Sequence, residues 1–227
     1  MKSATGKCAT LTGVLVIGSV LLLEAQVARA KGHVRQWTFD ADRVGEAPSG
    51  FSFGTTGSGR AGRWIVQAEK DAPSSPNLLA QVEADQTDYR FPVAVANEPI
   101  LRDVRLSVKC KPVSGEIDQA CGLVFRYQDE NNYYVTRVNA LEGNVRLYYV
   151  GKGARRQFAG WHGAVTSGVW HELVVEAQGD HFEIYLDRQK IIDAHDQAFT
   201  NAGQVGVWTK ADSVAYFDNL SVEPLQP

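Results

Sequence analysis

The fold of this chain is constrained most by a series of short segments in which apolar and polar residues alternate. About a dozen such runs follow one another: 35–40, 63–68, 77–84, 101–110, 121–127, 132–139, 144–150, 170–178, 181–187, 189–194, 203–209 and 213–223. Turn signals such as EGN, GKG and QGD separate several of them, and helical periodicity never exceeds a turn or two. Such alternation is typical of half-buried antiparallel strands. We therefore predict an all-β, two-sheet antiparallel jelly-roll sandwich, with a long loop over the Gly/Ser-rich residues 41–62.

The first thirty residues have the pattern of a secretory signal peptide. Lys2 and Lys7 give a basic start, an apolar run covers 11–23, and ARA at 28–30 is a small-x-small cleavage site. The apolar run is too short for a spanning helix, and no second long apolar run follows. We therefore predict that residues 1–30 are cleaved and that residues 31–227 form a single jelly-roll domain. The mature protein is expected to be periplasmic or secreted, without a membrane span.

The charge balance argues against one class of partner. The chain has 23 Lys and Arg against 26 Asp and Glu, which gives a formal net charge of −3. Proteins that bind the phosphate backbone need a basic surface to do so. We therefore predict no nucleic-acid partner.

Two cysteines, Cys110 and Cys121, lie in the predicted mature domain. Strand alternation directs both side chains to the inward face of their segments. We expect the two strands to form a hairpin, with the cysteines facing each other across its open end. An exported compartment permits a disulfide there. The alternative is a pair of buried thiols that pack as small apolar residues.

The stretch 125–139, FRYQDENNYYVTRVN, is the main candidate for a binding surface. If Tyr127 pairs with Asn132 across a four-residue turn, Phe125 lies opposite Tyr134 and both face the core. The other face of the sheet then carries a polar and aromatic set. With residues from neighbouring strands, its members are Arg126, Tyr133, Arg137, Asn139, Arg146, Tyr148, Trp208 and Lys210.

This set has the chemistry of a sugar site. Aromatic rings stack on the C–H faces of pyranoses, while Arg and Asn hydrogen-bond vicinal hydroxyls. We therefore predict that these residues bind an oligo- or polysaccharide. The alternative is that they form cross-strand pairs, which stabilise an exposed sheet face without any ligand.

Three segments carry a resemblance to a known superfamily. They are VSGEIDQACGLVFRYQDENNYYVTRVNALEGNVRLYYV (113–150), GVWHELVVEAQGDHFEIYLD (168–187) and GQVGVWTKADSVAYFDNLSV (203–222). They resemble the concanavalin A-like, laminin-G-like jelly-roll superfamily. They are most similar to its bacterial exported branch, whose members are often labelled 3-keto-disaccharide hydrolase or glycoside-hydrolase-like domains. The resemblance covers 100–223 well and 35–100 loosely. It implies a convex and a concave sheet, with carbohydrate bound on the concave face.

Motifs for catalysis are incomplete. Retaining glycosidases of this fold resemble one another in a Glu-x-Asp-x-x-Glu or Glu-x-Asp-x-Glu strand motif, which supplies nucleophile and acid. The chain has Glu116 and Asp118, but residues 119–121 (QAC) follow where the second glutamate is needed. HELVV at 171–175 is not a HExxH zinc motif, because position 175 is Val and the other histidines are scattered. Catalytic residues therefore stay unknown, and enzyme activity is neither predicted nor excluded.

Two aspartates are candidates for a structural metal. Asp40 and Asp218 lie near the first and last predicted strands, which are often neighbours in this fold. Together with backbone carbonyls, they have the ligand type that Ca²⁺ prefers. The alternative is that both are solvated residues at strand ends.

The leading functional prediction is an exported domain that binds glycans on the concave face of one sheet. A hydrolase or lyase acting on 3-keto-disaccharides or other glycosides is the alternative that the resemblance implies. A third possibility is a non-catalytic periplasmic interaction module.

Overall fold

The computed structural model describes residues 33–226 together with Met1, so the predicted signal peptide lies outside the described segment. That segment is built from strands, and it holds no helix long and apolar enough to cross a membrane. Its strands are β1 (Arg35–Trp37), β2 (Phe51–Gly57), β3 (Trp64–Ala68), β4 (Asn77–Gln81), β5 (Arg90–Ala96), β6 (Val104–Ser114), β7 (Ala120–Asp129), β8 (Asn132–Asn139), β9 (Asn144–Gly151), β10 (Ala154–His162), β11 (His171–Gln178), β12 (His181–Leu186), β13 (Gln189–His195), β14 (Gln204–Trp208) and β15 (Val214–Pro224).

These strands form two antiparallel sheets. The eight-stranded sheet has the order β13-β12-β11-β6-β15-β4-β3, with β1 added beside β15. The seven-stranded sheet has the order β10-β9-β8-β7-β14-β5-β2. Neighbours such as β6 and β15 are far apart in sequence, as expected of a sandwich built from long crossovers. The predicted all-β, two-sheet sandwich is confirmed.

The number of strands differs from the sequence prediction. Strands β2, β5 and β10 fall between the alternating runs, and β2 lies inside the expected long loop at 41–62. Strand β5 contains Pro92, which lacks the backbone N–H that a strand interior normally uses. Strand β10 begins directly after the turn at 151–153 and does not alternate cleanly in burial. These three strands complete the seven-stranded sheet.

The core lies between the two sheets, and the inward faces predicted from alternation are confirmed. Phe125 stacks on its cross-strand partner Tyr134, with ring centroids 5.3 Å apart. Other members of this cluster, at alternate positions of their strands, are Leu123, Val138, Val145, Leu147, Leu173, Val175, Ala177, Phe182, Ile184, Leu186, Val205 and Val207. Burying one Leu or Phe side chain contributes roughly 1.5–3 kcal/mol, so this layer holds the sheets together.

A disulfide joins Cys110 to Cys121 across this core, with an S–S distance of 2.12 Å. The expected hairpin is wrong. Cys110 in β6 pairs with His171 and Phe217, whereas Cys121 in β7 pairs with Val138 of the other sheet. The bond therefore links the two sheets through the interior, because the chain crosses between them in the segment 115–119.

A second apolar cluster lies on the outer face of the seven-stranded sheet. Its large members are aromatic, and we call Phe91, Tyr133, Tyr148 and Trp208 the aromatic floor. Phe91 and Trp208 stack with centroids 5.4 Å apart. Tyr133 and Trp208 have no exposed surface at all. This sheet is therefore packed on both faces, which alternation alone does not reveal.

Candidate functional site

The structure brings seven of the eight predicted ligand residues onto the outer face of the seven-stranded sheet. Three of them, Tyr133, Tyr148 and Trp208, belong to the aromatic floor. Arg137 donates to the Tyr148 hydroxyl, with a distance of 3.1 Å, and lies directly opposite Arg146 in the neighbouring strand. Residues opposite each other in an antiparallel pair share a face. Asn139 and Lys210 join the group through Asp118, as described below.

A guanidinium group covers the aromatic floor. The Arg155 side chain lies over the rings of Phe91 and Tyr148, 4.4 and 4.5 Å from their centroids, and 5.8 Å from that of Trp208. Its strand, β10, pairs Arg155 with Val150, which is on the same outer face. Arg155 was not predicted from the sequence. The GKG turn at 151–153 was the available signal, because a strand entering such a turn is often followed by its hairpin partner.

Lys210 is the centre of an ionic network at one side of the floor. Its Nζ atom lies 2.5 Å from Asp88 Oδ1 and 2.9 Å from Asp118 Oδ2. Asn139 Nδ2 donates to the other oxygen of Asp118 at 2.6 Å. Burial disfavours the charged ammonium, but the two carboxylates outweigh burial and raise the pKa of Lys210. Lys210 therefore stays protonated across the physiological range.

Backbone hydrogen bonds fix the position of this network. Thr209 and Ala211 donate to the carbonyls of Pro92 and Arg90, which extends the pairing of β14 with β5 as far as Lys210. The carboxylate of Asp212 accepts from the backbone N–H groups of residues 116–118, at 2.7–3.1 Å for the shortest contact of each. The turn that carries Asp118 is thereby held in place, so the EID segment (116–118) lies in a hydrogen-bonded connection between β6 and β7 and not in a strand.

Arg137 organises a second, adjoining network. Its guanidinium lies 2.8 Å from Glu142 Oε2 and also donates to Asn144. Asn139 positions Glu142, because its Oδ1 accepts from the backbone N–H groups of Leu141 and Glu142 at 2.9 and 3.1 Å. Burial opposes the charge of Glu142, but Asn144 and Arg137 outweigh it and hold its pKa below the usual range. Lys210 lowers the same pKa further, so the two networks lie side by side.

The rim of this surface is open to solvent. Asp88 is 74% exposed and Glu142 is 48% exposed, while their partners Lys210 and Arg137 are almost fully buried. Nε of Arg137 and Nη1 of Arg155 are buried, and neither has a hydrogen-bond acceptor among the described residues. The arrangement therefore presents two carboxylates at its edge, each held by a buried cation.

Arg126 does not belong to this surface, and the prediction that it shares a face with Tyr133 is wrong. Its guanidinium donates to the carbonyls of Arg102, Phe199 and Gly179 at 2.9, 2.9 and 2.6 Å. It also lies 5.3 Å from the ring centroid of Phe182, a core residue. Only 1% of its side chain is exposed. Arg126 therefore ties together the loops at one end of the sandwich.

An irregularity in β7 causes this change of direction. The predicted pairs Phe125–Tyr134 and Leu123–Thr136 are present, but the next pair is Asp129–Asn132. Residues 126–128 therefore form a bulge, in which Arg126 has a positive φ of 48°. Bulges redirect side chains, and the turn has two central residues where the sequence suggested four.

Burial raises the pKa of the Asp218 carboxyl above its ordinary value. The negative charge of Asp40 raises it further, so the two aspartates lie close together. Asp218 accepts from Ser74 N and Oγ at 2.6 and 2.8 Å. Asp40 accepts from the backbone N–H of Asn77 at 3.0 Å. Neither aspartate forms an ion pair among the described residues.

Carbonyl oxygens converge beside these two carboxylates. The carbonyls of Phe39, Asp40 and Asp42 all lie 3.3–3.4 Å from Asn77 Nδ2. An amide nitrogen has only two hydrogens, so it cannot satisfy three carbonyls well. Backbone carbonyls and carboxylates without cationic partners form a donor set that fits Ca²⁺.

A separate group of metal-ligand side chains occurs on the other sheet. His181, Asp193 and His195 place their ligand atoms within 4.8 Å of one another. The sequence suggested scattered histidines. The short connection between β12 and β13 could have indicated this group, because it predicts a hairpin in which the start of β12 lies beside the end of β13.

Two cavities lie away from the ionic networks. The larger, about 630 Å³, is lined by the β3–β4 region at Ala68, Glu69, Lys70, Ser75 and Pro76. The smaller, about 260 Å³, is lined by Phe53, Gly54, Thr55, Ala61, Gly62 and Glu130. Neither contains a cluster of ion pairs or stacked aromatics, so size alone does not make them the better candidates.

No family model matches the chain. A curated relative, levanase from Bacillus subtilis, is 36% identical over 107 residues, which are 46% of this chain and 15% of the levanase. The chain therefore corresponds to only a small part of that protein.

Solved structures share the fold. The carbohydrate binding module CBM66 from Bacillus subtilis has a TM-score of 0.60 and 24% identity over 75% of this chain and 94% of the module. The lumenal domain of VIP36, in a form bound to Ca²⁺ and Man3GlcNAc, has a TM-score of 0.54 and 10% identity over 78% and 84%. The predicted resemblance to jelly-roll domains is confirmed at the level of the fold. At these identities the structural likeness concerns the fold.

Proposed function

We propose that this protein is a carbohydrate-binding domain, and that its ligand lies on the outer face of the seven-stranded sheet. The observation that carries the proposal is the pair of adjoining ionic networks around Arg137 and Lys210, set beside the aromatic floor. A sugar offers vicinal hydroxyls, which are donors and acceptors at once. Fixed guanidinium, ammonium and carboxylate groups can bind both.

The energetic cost of these networks supports a binding role. Removing ion pairs from water is expensive, and well-packed apolar residues of similar volume often give equal or better stability. Lys210 and Arg137 are nevertheless almost fully buried and paired. Groups that are already held in place lose little rotamer entropy when a ligand binds. This feature favours recognition over a purely structural role.

The comparisons support the same proposal. One similar protein is a levanase, one is a carbohydrate binding module, and the VIP36 domain has a form with bound Man3GlcNAc. These names and descriptions apply to the three similar proteins. For this chain, the proposal of carbohydrate binding is based on the ionic networks around Arg137 and Lys210.

The test uses a glycan array, followed by calorimetric titration of the best oligosaccharide with two rim variants. Glu142→Gln and Asp88→Asn remove charge from side chains that are 48% and 74% exposed. Losing a hydrogen bond to a charged group costs about 1.5–3 kcal/mol, so we expect each variant to bind roughly tenfold to a hundredfold more weakly. Melting temperatures should change less than for a fully buried pair, because Glu142 and Asp88 reach solvent and the two cations keep their other partners, Asn144 and Asp118.

A matched control is available. Glu46 is 62% exposed and also pairs with an arginine, Arg43, but its backbone carbonyl accepts from Val66 in β3 of the other sheet. Glu46→Gln should bind glycan as wild type does. The proposed face is wrong if the rim variants bind normally, and the proposed function is wrong if no glycan binds to the wild type.

We also propose that the protein is exported and that Asp40 and Asp218 hold a structural Ca²⁺. Export is supported by the basic, apolar and small-residue pattern of residues 1–30 and by the disulfide, which needs an oxidising compartment. Calcium is supported by the converging carbonyls near Asn77 and by the buried carboxylate of Asp218. Such an ion would neutralise two neighbouring negative charges.

A further inference from the structure

Two histidines face each other on the hairpin formed by β12 and β13. His181 and His195 are direct cross-strand partners, so their side chains share a face. Their rings are nearly parallel, with centroids 4.6 Å apart and an interplanar angle of 20°. Asp193 lies two residues before His195 on the same strand, and alternation places it on that face as well. The hairpin therefore brings two imidazoles and a carboxylate together.

The distances within this group suit a small metal ion. His181 Nε2 lies 2.8 Å from Asp193 Oδ1, and the ligand atoms of all three residues lie within 4.8 Å of one another. Around a tetrahedral zinc ion with bonds of about 2.0–2.1 Å, ligand atoms are roughly 3.3–3.4 Å apart. Small rotations of these exposed side chains bring the present distances between ligand atoms to that value.

Neighbouring polar groups hold two of the three ligands in orientation. Asp180 Oδ1 lies 3.3 Å from His195 Nδ1, and Gln197 donates to the other Asp180 oxygen at 2.8 Å. A carboxylate on one ring nitrogen leaves the other nitrogen available for a metal, as in carboxylate–histidine–zinc arrangements. Lys190 binds Asp193 Oδ2 at 2.9 Å, which leaves Oδ1 directed at His181.

We propose that His181, Asp193 and His195 bind one divalent transition-metal ion of the zinc, nickel or copper type. Imidazole and carboxylate together favour these ions, whereas Ca²⁺ prefers an all-oxygen set. The three side chains are 37%, 51% and 65% exposed, so an ion has direct access from solvent. Three protein ligands leave a fourth position for water or for a group from another molecule. The site lies on the eight-stranded sheet and is independent of the proposed glycan face.

The location suggests what the ion does for the fold. Strand β13 is at the edge of its sheet, where its hydrogen-bonded neighbour is β12. A metal bridging both strands binds the folded hairpin and not the unfolded chain, so it stabilises the native state. We therefore expect zinc to raise the melting temperature of the protein.

The experiment titrates the untagged, chelator-treated full chain with zinc chloride by calorimetry. The wild type should bind one zinc ion, and His181→Ala and His195→Ala should each weaken binding at least tenfold and lose the rise in melting temperature. Asp180→Asn should weaken it about tenfold, the lower end of the range for groups that orient metal ligands. Cobalt should give the visible absorption bands of a four-coordinate ion in the wild type and in His33→Ala, but not in His181→Ala or His195→Ala.

His33 provides the matched control, since it is an exposed histidine outside the hairpin. His33→Ala should bind zinc with wild-type affinity. The proposal is overturned if zinc does not bind saturably, or if binding survives both hairpin substitutions unchanged. Folding of the variants is checked by their melts without metal, which should match the wild type.

Discussion

At the residue scale, burial separates side chains that the sequence treats alike. Tyr133, Trp208 and Arg137 all have the parity of an outward face, and the outward direction is correct. Their burial could not be predicted, because it depends on loops and on Arg155 from a strand that alternation missed. Arg126 shows the other failure of parity, since one bulge is enough to turn a side chain towards the core side.

Trp208 gives a prediction at this scale. Trp208→Ala removes a ring that stacks on Phe91 and has no exposed surface, so it should lower the free energy of unfolding by about 3–5 kcal/mol. Trp170, which is partly exposed and contacts Lys111, is the matched control. Trp170→Ala should cost clearly less. Urea denaturation measures both, and equal stability of Trp208→Ala and wild type would contradict the assignment of Trp208 to the floor.

At the scale of elements, alternation predicts faces better than it predicts neighbours. Phe125 of β7 and Tyr134 of β8 face the core as predicted, because the inward side of each strand is mostly apolar. The predicted hairpin partner of β6 is wrong, since sheet order depends on contacts between distant segments such as β6 and β15. The predicted inward orientation of the cysteines is therefore correct, but their disulfide links the two sheets and does not close a hairpin.

The disulfide gives the prediction for this scale. Reduction, or the pair Cys110→Ala and Cys121→Ala, should lower the free energy of unfolding by about 2–4 kcal/mol, because the unfolded chain regains the freedom of the loop between the cysteines. Denaturation with and without reductant measures the change. Exported native protein should begin at Lys31 and show no alkylation of either cysteine by mass spectrometry. Two freely alkylated thiols in that material would contradict both the bond and its compartment.

At the scale of the whole molecule, the two sheets carry different chemistry. The outer face of the seven-stranded sheet combines aromatic rings with buried ion pairs, whereas the eight-stranded sheet has the exposed histidine hairpin at its edge. The superfamily resemblance predicted the sandwich and a sugar-binding sheet face. It did not indicate that Asp88, Asp118 and Glu142 form ion pairs beside this face, because these residues come from loops and turns whose positions depend on the completed fold.

The last prediction concerns calcium and the closure of the sandwich. Asp40 follows the first strand and Asp218 lies in the last, while Asn77 opens β4, so an ion bound there would connect three distant parts of the chain. Binding to the folded state alone stabilises it, so Ca²⁺ should raise the melting temperature and EGTA should lower it. Asp218→Asn should abolish the difference, since it removes the buried negative charge next to Asp40. Asp71→Asn, at an exposed aspartate paired with Lys111, should leave the difference intact. Identical melts of the wild type in Ca²⁺ and in EGTA would show that hydrogen bonds from Ser74, Asn77 and Asn219 hold the two carboxylates without an ion.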